Sequence, residues 1–162
     1  MTKFKVIPLF LLISIVLISS CEAQHKNELK KPQVKVDKEK FKAEDPLAYK
    51  VLFEAATERP YTSDLLDNTE SGVYVCKACK APLFVSENKF DAGCGWPSFD
   101  REIEGAITYD VDYKIGVPRI EEKCNNCGGH LGHVFDDGPK DTTGKRHCIN
   151  GIALEFIPSK KQ

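Results

Sequence analysis

The chain has 162 residues, 41% hydrophobic and 29% charged, which suits one domain with a modest core plus an appended segment. Its formal net charge is −1, which excludes a bulk electrostatic case for nucleic acid. Seven cysteines stand out: under reducing conditions they point to metal or redox chemistry, whereas export also admits disulfides.

Export is therefore the first question. Lys3 and Lys5 precede an uncharged, apolar run at residues 6–18. As a helix that run is about 20 Å long, too short for a bilayer core of about 30 Å, and it reads as the apolar region of a signal peptide at residues 1–20. The ending Ile18-Ser19-Ser20-Cys21 resembles a bacterial lipobox, in which Cys21 is lipidated and becomes the first residue. The alternative is an ordinary signal peptide cut near Ala23, with Cys21 lost. The lipobox reading gives an exported lipoprotein of the bacterial cell envelope, bound to the membrane through its lipid anchor. Residues 22–45 are rich in Lys and Glu, with Phe41 the only aromatic, and read as a flexible charged tether. Such a coil reaches roughly 25 to 30 Å. Removal of Lys3 and Lys5 leaves 21 basic against 24 acidic residues, a net charge near −3.

Pro46 opens the folded domain, which extends to residue 158 and leaves a short tail at 159–162. Leu47, Tyr49, Val51, Leu52, Ala55 and Ala56 recur at roughly helical spacing and predict one short helix ended by Arg59-Pro60. Residues 65–68 could add a further helical turn. Beyond Gly72 the texture changes to strand-like runs at 73–75, 83–85, 117–122 and 152–157. Residues 107–115 alternate apolar and polar with a strict period of two. The expectation is a mainly β fold, an antiparallel sheet domain with a short helical N-terminal flank.

Cys76-Lys77-Ala78-Cys79 and Cys124-Asn125-Asn126-Cys127 are two Cys-x-x-Cys pairs. Each presents two sulfurs from one tight turn, and together they offer four thiolates for a closed, structural Zn²⁺ site that staples two distant turns. The competing reading is a disulfide framework. Cys148 lies in Arg146-His147-Cys148-Ile149-Asn150. On a strand Arg146, Cys148 and Asn150 share one face, where the guanidinium could favour the thiolate. Cys94 sits between two glycines, ahead of Trp96-Pro97, on backbone free to move. A mobile cysteine and an activated one suggest a redox couple.

Taken together, GCGWPSF at 93–99, GGHLGHVFDDGP at 128–139, RHCIN at 146–150 and the two Cys-x-x-Cys pairs resemble the B-type methionine sulfoxide reductases. The resemblance covers about residues 46–158 and implies two antiparallel β-sheets, one zinc on Cys76, Cys79, Cys124 and Cys127, and reduction of the R epimer of methionine S-oxide in proteins. It implies Cys148 as the catalytic nucleophile, Cys94 as the resolving cysteine, and Trp96, His130, His133, Asp137, Arg146 and Asn150 as residues lining the substrate site. Cys148 would attack the sulfoxide sulfur, His130, His133 or an acid acting through water would protonate the oxygen, and Cys94 would convert the sulfenic acid into a disulfide. A thioredoxin-type dithiol would reduce that disulfide, and the protein would act as a monomer. Two positions depart from the resemblance: His147 stands where an aromatic is frequent, and Gly151 where a serine is common.

Each of these residues also has a plainer role open to it. A tryptophan commonly belongs to a core, and Asp136-Asp137 before Gly138-Pro139 is ordinary turn chemistry. His130 and His133, three positions apart, fall on opposite faces of a regular strand, so both reach one pocket only if a bulge or turn forms around Gly132. Two other classes compete: a zinc-ribbon binding module without catalysis, which would want a cluster of Lys and Arg, and a disulfide-stapled adhesion or inhibitor domain.

Overall fold

A computed structural model describes residues 34–160. The signal peptide, the Cys21 lipobox and the tether up to residue 33 lie outside the described residues. The rest of the expected tether is not all coil: Lys38–Glu44 is a helix, α1, with the Asp37 carboxylate accepting from the Lys40 N–H at 3.1 Å. Its one aromatic gives the reason, since Phe41 sets its ring edge-on to Phe53 at 5.9 Å and Lys38 Nζ lies 4.6 Å over the same ring. Asp45 then caps a second helix, α2 (Pro46–Glu54), accepting from the Ala48 N–H at 2.9 Å, with proline in the first turn. Helix α2 buries Ala48, Val51 and Leu52, spaced i, i+3, i+4, and stops at Ala55 in the left-handed conformation. Residues 65–68 form no helix. Ser63 closes a turn there instead, its carbonyl accepting from Leu66 N–H at 3.0 Å and its hydroxyl from Leu65 N–H at 3.2 Å.

The remainder is mainly β. Strands β1 (Gly72–Cys76), β2 (Pro82–Val85), β3 (Lys89–Phe90), β4 (Ser98–Phe99), β5 (Ile107–Asp112), β6 (Arg119–Cys124), β7 (His130–Phe135), β8 (Arg146–Ile149) and β9 (Leu154–Pro158) make two antiparallel sheets. One has the order β2-β1-β9 and the other β3-β4-β8-β7-β6-β5. The long alternating run is cut short: Asp112 accepts from Lys114 N–H at 2.8 Å and Tyr113 from Gly116 N–H at 2.9 Å, which turns the chain back. Tyr109 and Val111 are each 47% exposed, because β5 is the outer strand of its sheet, which reaches the core through Ile107. Strand β6 begins at Arg119 rather than Val117, just past Pro118, which has no N–H to give a ladder. Gly151–Ala153 is a 3-10 turn, so β9 begins only at Leu154.

The core lies between the sheets, where Tyr74, Leu83, Phe84, Phe99, Leu131, Ile149 and Leu154 are buried. Phe84 stacks on Phe99 at 4.3 Å, and Tyr74 meets Phe99 at 5.0 Å. His147 points into this core. Its Nδ1 is 2.6 Å from the fully buried carboxylate of Glu122 and its Nε2 is 3.4 Å from Glu102. Burial pushes the Glu122 carboxyl up, and His147 opposes that shift. This chain therefore holds an ionisable pair at the position where the resemblance leads one to expect an aromatic.

Strand β8 is the centre of the site because β4 and β7 flank it: Ser98 pairs with Cys148 on one side and His133 pairs with Cys148 on the other. Strand β7 approaches so closely that a Cβ on Gly132 would sit 2.0 Å from the Cys148 carbonyl oxygen. Gly132→Ala is expected to destabilise the fold by about 1 to 3 kcal/mol or more, the usual cost of overpacking. The denaturant midpoint measures this, and an unchanged midpoint would contradict the close approach.

Candidate active site and metal centre

Cys94 sits on the loop between β3 and β4, and Cys148 within β8. Their sulfurs are 3.7 Å apart although 54 positions separate them in the chain. Cys94 Sγ also lies 3.4 Å from the Ser98 hydroxyl and 3.6 Å from the Trp96 carbonyl. Burial is the largest influence on Cys148 and pushes its thiol up to about 12; the charge and hydrogen bond of Cys94 add to this, and Arg146 opposes it. The expected activation by Arg146 is thus outweighed in the resting site. The guanidinium is already committed, forming two bonds to Asp137 at 2.8 and 2.9 Å and lying 4.5 Å over the Phe135 ring. For Cys94 burial also acts upward, but Ser98, the Trp96 main chain, Cys148 and Arg146 together hold its thiol below the ordinary value.

Across β8, the histidines come together through a bulge. Lys123 pairs with His130 and Glu122 with Gly132, leaving Leu131 as the extra residue of β7. The bulge falls one residue before Gly132 and brings the two rings to 5.5 Å at a steep angle. His130 Nδ1 is 2.7 Å from Glu121, and its Nε2 is buried without a partner. His133 Nε2 is 2.8 Å from an Asp112 carboxylate oxygen that also accepts from Arg119 at 2.5 Å. Burial lowers both histidines below the ordinary imidazole value, against the pull of Glu121 and Asp112, and so favours their neutral forms.

Asn150 follows Cys148 by two residues and is buried. Its amide donates to the Leu131 carbonyl at 2.8 Å and accepts from Glu58 N–H at 2.9 Å, so it clamps the bulge. Glu58 in turn accepts the Trp96 indole N–H at 3.3 Å on its main-chain carbonyl, which ties the half-buried Trp96 to the same frame. At Gly151 a Cβ would lie 1.9 Å from the Ser63 hydroxyl, so Ser63 fills the space a side chain there would need. The sequence reading missed Glu121 and Asp112 as histidine partners and Ser98 as a neighbour of Cys94. Their signal was faint: Asp112 looked like the solvent face of an alternating strand, and pairing partners are not written in spacing.

Cys76, Cys79, Cys124 and Cys127 place their sulfurs within 4.8 Å of one another, with Cys76 to Cys127 at 3.7 Å and Cys79 to Cys124 at 3.6 Å. Zinc bonds of about 2.3 Å in a tetrahedron give sulfur edges near 3.8 Å, while a disulfide needs about 2.05 Å. The cluster fits a structural zinc site. The two turns that supply it are copies of each other. Lys80 N–H donates to the Cys76 carbonyl and Gly128 N–H to that of Cys124, each at 2.8 Å, and both residues are left-handed. Cys76 N–H donates to Ala81 and Cys124 N–H to Gly129, again at 2.8 Å.

A dithiol pair beside carboxylate-held histidines, with a four-sulfur cluster between the two sheets, defines a thiol oxidoreductase. Residues 45–158 match the family model described as the SelR domain. The peptide methionine sulfoxide reductase MsrB of Chromohalobacter salexigens is 53% identical over 116 residues, 71% of this chain and 87% of that protein. The protein of the same name from Burkholderia cenocepacia is 48% identical over 126 residues, 77% of this chain and 88% of its own length. The chain belongs to the SelR family, the B-type methionine sulfoxide reductases.

Cys94→Ser removes two influences that raise Cys148 and leaves burial opposed by Arg146. Cys148 should then form thiolate at lower pH than in the native chain. The rate of iodoacetamide alkylation against pH, mapped to Cys148 by mass, reads this, and a profile unchanged or moved to higher pH would refute it.

Proposed function

We propose that this chain reduces the R epimer of methionine S-oxide in proteins to methionine, using Cys148 as nucleophile and Cys94 as resolving cysteine. The observation that carries the reading is the pair of sulfurs at 3.7 Å in a SelR-family chain, with His133 directly across from Cys148. The nucleophile enters as a buried thiol, and the two histidines beside it enter neutral. One imidazole takes the Cys148 proton as the sulfur attacks and delivers it to the sulfoxide oxygen; the unpartnered His130 Nε2 and the His133 ring are the candidates. Attack joins the Cys148 and substrate sulfurs; the protonated oxygen then passes to Cys148 as that S–S bond and the sulfoxide S–O bond break, so methionine leaves as the thioether and Cys148 becomes a sulfenic acid. Glu121 and Asp112 hold the rings in place and favour the transient imidazolium. Trp96, fixed through its indole N–H, offers a ring face to the S-methyl group, while Arg146 and Asp137 form a charged rim.

Cys94 then attacks the Cys148 sulfur, forming the disulfide and releasing water, and a thioredoxin-type dithiol reduces that disulfide by exchange. Four thiolates leave a zinc no open coordination position, so the metal's contribution would be to hold the sheets together. The reading extends to the cell envelope: with Cys21 lipidated, a monomeric domain on its tether would repair oxidised exported proteins at the membrane surface.

The assay that tests the function is turnover of separated R and S sulfoxide epimers of a methionine derivative with dithiothreitol. Only the R epimer should be consumed, and Cys148→Ser should abolish consumption. Comparable use of the S epimer, or turnover without Cys148, would sink it. For the metal, one zinc per chain is expected, with loss of zinc and of cooperative unfolding in Cys124→Ser. Structural zinc contributes on the order of 10 kcal/mol in small peptides. Active protein that carries no zinc would reverse the assignment.

A further inference from the structure

Tyr61 brackets the resolving cysteine. Its N–H donates to the Gly95 carbonyl at 2.8 Å and its phenol O–H donates to the Gly93 carbonyl at 3.0 Å, so one residue holds the main chain on both sides of Cys94. Nothing about folding requires a tyrosine there, for its side chain is 68% exposed and adds nothing to the core. It also sits where a tyrosine is disfavoured. Pro60 and Tyr61 form a tight turn in which the Thr62 hydroxyl donates to the Arg59 carbonyl at 2.7 Å, and Tyr61 has φ +63 in the left-handed region that suits glycine or asparagine. A residue held in that conformation against its preference marks a position where the geometry matters.

The loop it grips is built to accept the grip. Gly93 and Gly95 have φ +64 and +85, and a Cβ on Gly95 would meet Pro60 at 2.7 Å and the Tyr61 ring at 3.0 Å. Gly93 N–H is tied to the Asp91 carboxylate at 2.8 Å, while on the far side of Cys94 the Ser98 hydroxyl donates to the Trp96 carbonyl at 3.2 Å. Two glycines would otherwise leave Cys94 free to sample many positions, most of them out of reach of Cys148.

We propose that Tyr61 is a strap that positions Cys94 for attack on Cys148, a positioning residue for the resolving step rather than for sulfoxide reduction. The inference rests on the function proposed above. In that step the Cys94 sulfur bonds to the sulfenic sulfur, the Cys148 S–O bond breaks, and the oxygen leaves as water with the Cys94 proton and its own. The sulfurs need close only from 3.7 Å to about 2.05 Å, so holding the loop near its resting place favours the reaction.

The test separates the two half-reactions in the full chain. One equivalent of R-sulfoxide is mixed with reduced protein, sulfenic acid is trapped with dimedone at intervals, and the disulfide between Cys94 and Cys148 is followed by mass. In Tyr61→Phe, which loses only the phenol bond, the ratio of resolution rate to sulfoxide-consumption rate should fall about fivefold, the weight of one ordinary hydrogen bond. Gly95→Ala, which pushes the loop away from Pro60 and Tyr61, should lower the same ratio further. Tyr113→Phe, an exposed tyrosine beyond β5, serves as the unchanged control. A merely structural role for Tyr61 would lower the melting temperature or slow both half-reactions together. A Tyr61→Phe ratio within twofold of the native chain overturns the strap. Native protein that consumes sulfoxide yet never forms the disulfide overturns the resolving role of Cys94 itself, which is a separate result.

Discussion

Everything chemical in this protein depends on the register of β8 between β4 and β7. Because Ser98 and His133 both pair with Cys148, the strand that carries the nucleophile has the resolving-cysteine loop on one side and the histidines on the other. A slip of one residue would send Cys148 into the core and bring His147 to the site, since side chains alternate along a strand. Gly132 allows β7 to approach closely, and the Leu131 bulge turns His130 to the same side as His133. Asn150 fixes that bulge by its side chain and main chain, both of which donate to the Leu131 carbonyl.

A zinc held by the four-cysteine cluster would fix the sheets that carry this register. One of its turns follows β1 in the three-stranded sheet and the other joins β6 to β7 in the six-stranded sheet. Such a staple would tie the small sheet to the strand that presents the histidines. A domain of this size, with short strands and one outer strand largely exposed, has a modest core, and cross-links between distant turns contribute correspondingly more. The matching hydrogen bonds of the two turns show one local solution used twice, with Gly128 suited to the left-handed position and Lys80 tolerated there.

Burial governs the charges. It raises the Cys148 thiol and lowers both histidines, so the resting site holds its proton on sulfur and leaves the imidazoles free to accept it. Arg146 cannot reverse this while Asp137 occupies its guanidinium. Behind the same strand, Glu122 and His147 form a buried pair that faces away from the chemistry; removing one partner of such a pair generally costs about 3 to 5 kcal/mol, because the other is left uncompensated.

The sequence by itself determined what is local or chemical in kind. The paired Cys-x-x-Cys spacing named a four-thiolate site, the alternation around Cys148 put Arg146 and His147 on opposite faces, and the helix at Pro46 followed from its apolar spacing. It determined the family too, because several motifs occur together in one order. Only the tertiary structure decided what depends on partners distant in the chain. Helix α1 exists because Phe41 finds Phe53, the alternating run stops at Asp112 because its carboxylate and the following turn reverse the chain, and Asn150 clamps the Leu131 bulge. Tyr61 carried no signal in sequence, and that of Ser98, Asp112 and Glu121 was faint. Hydrogen bonding between groups tens of residues apart follows from strand register, and register is set by how the two sheets pack.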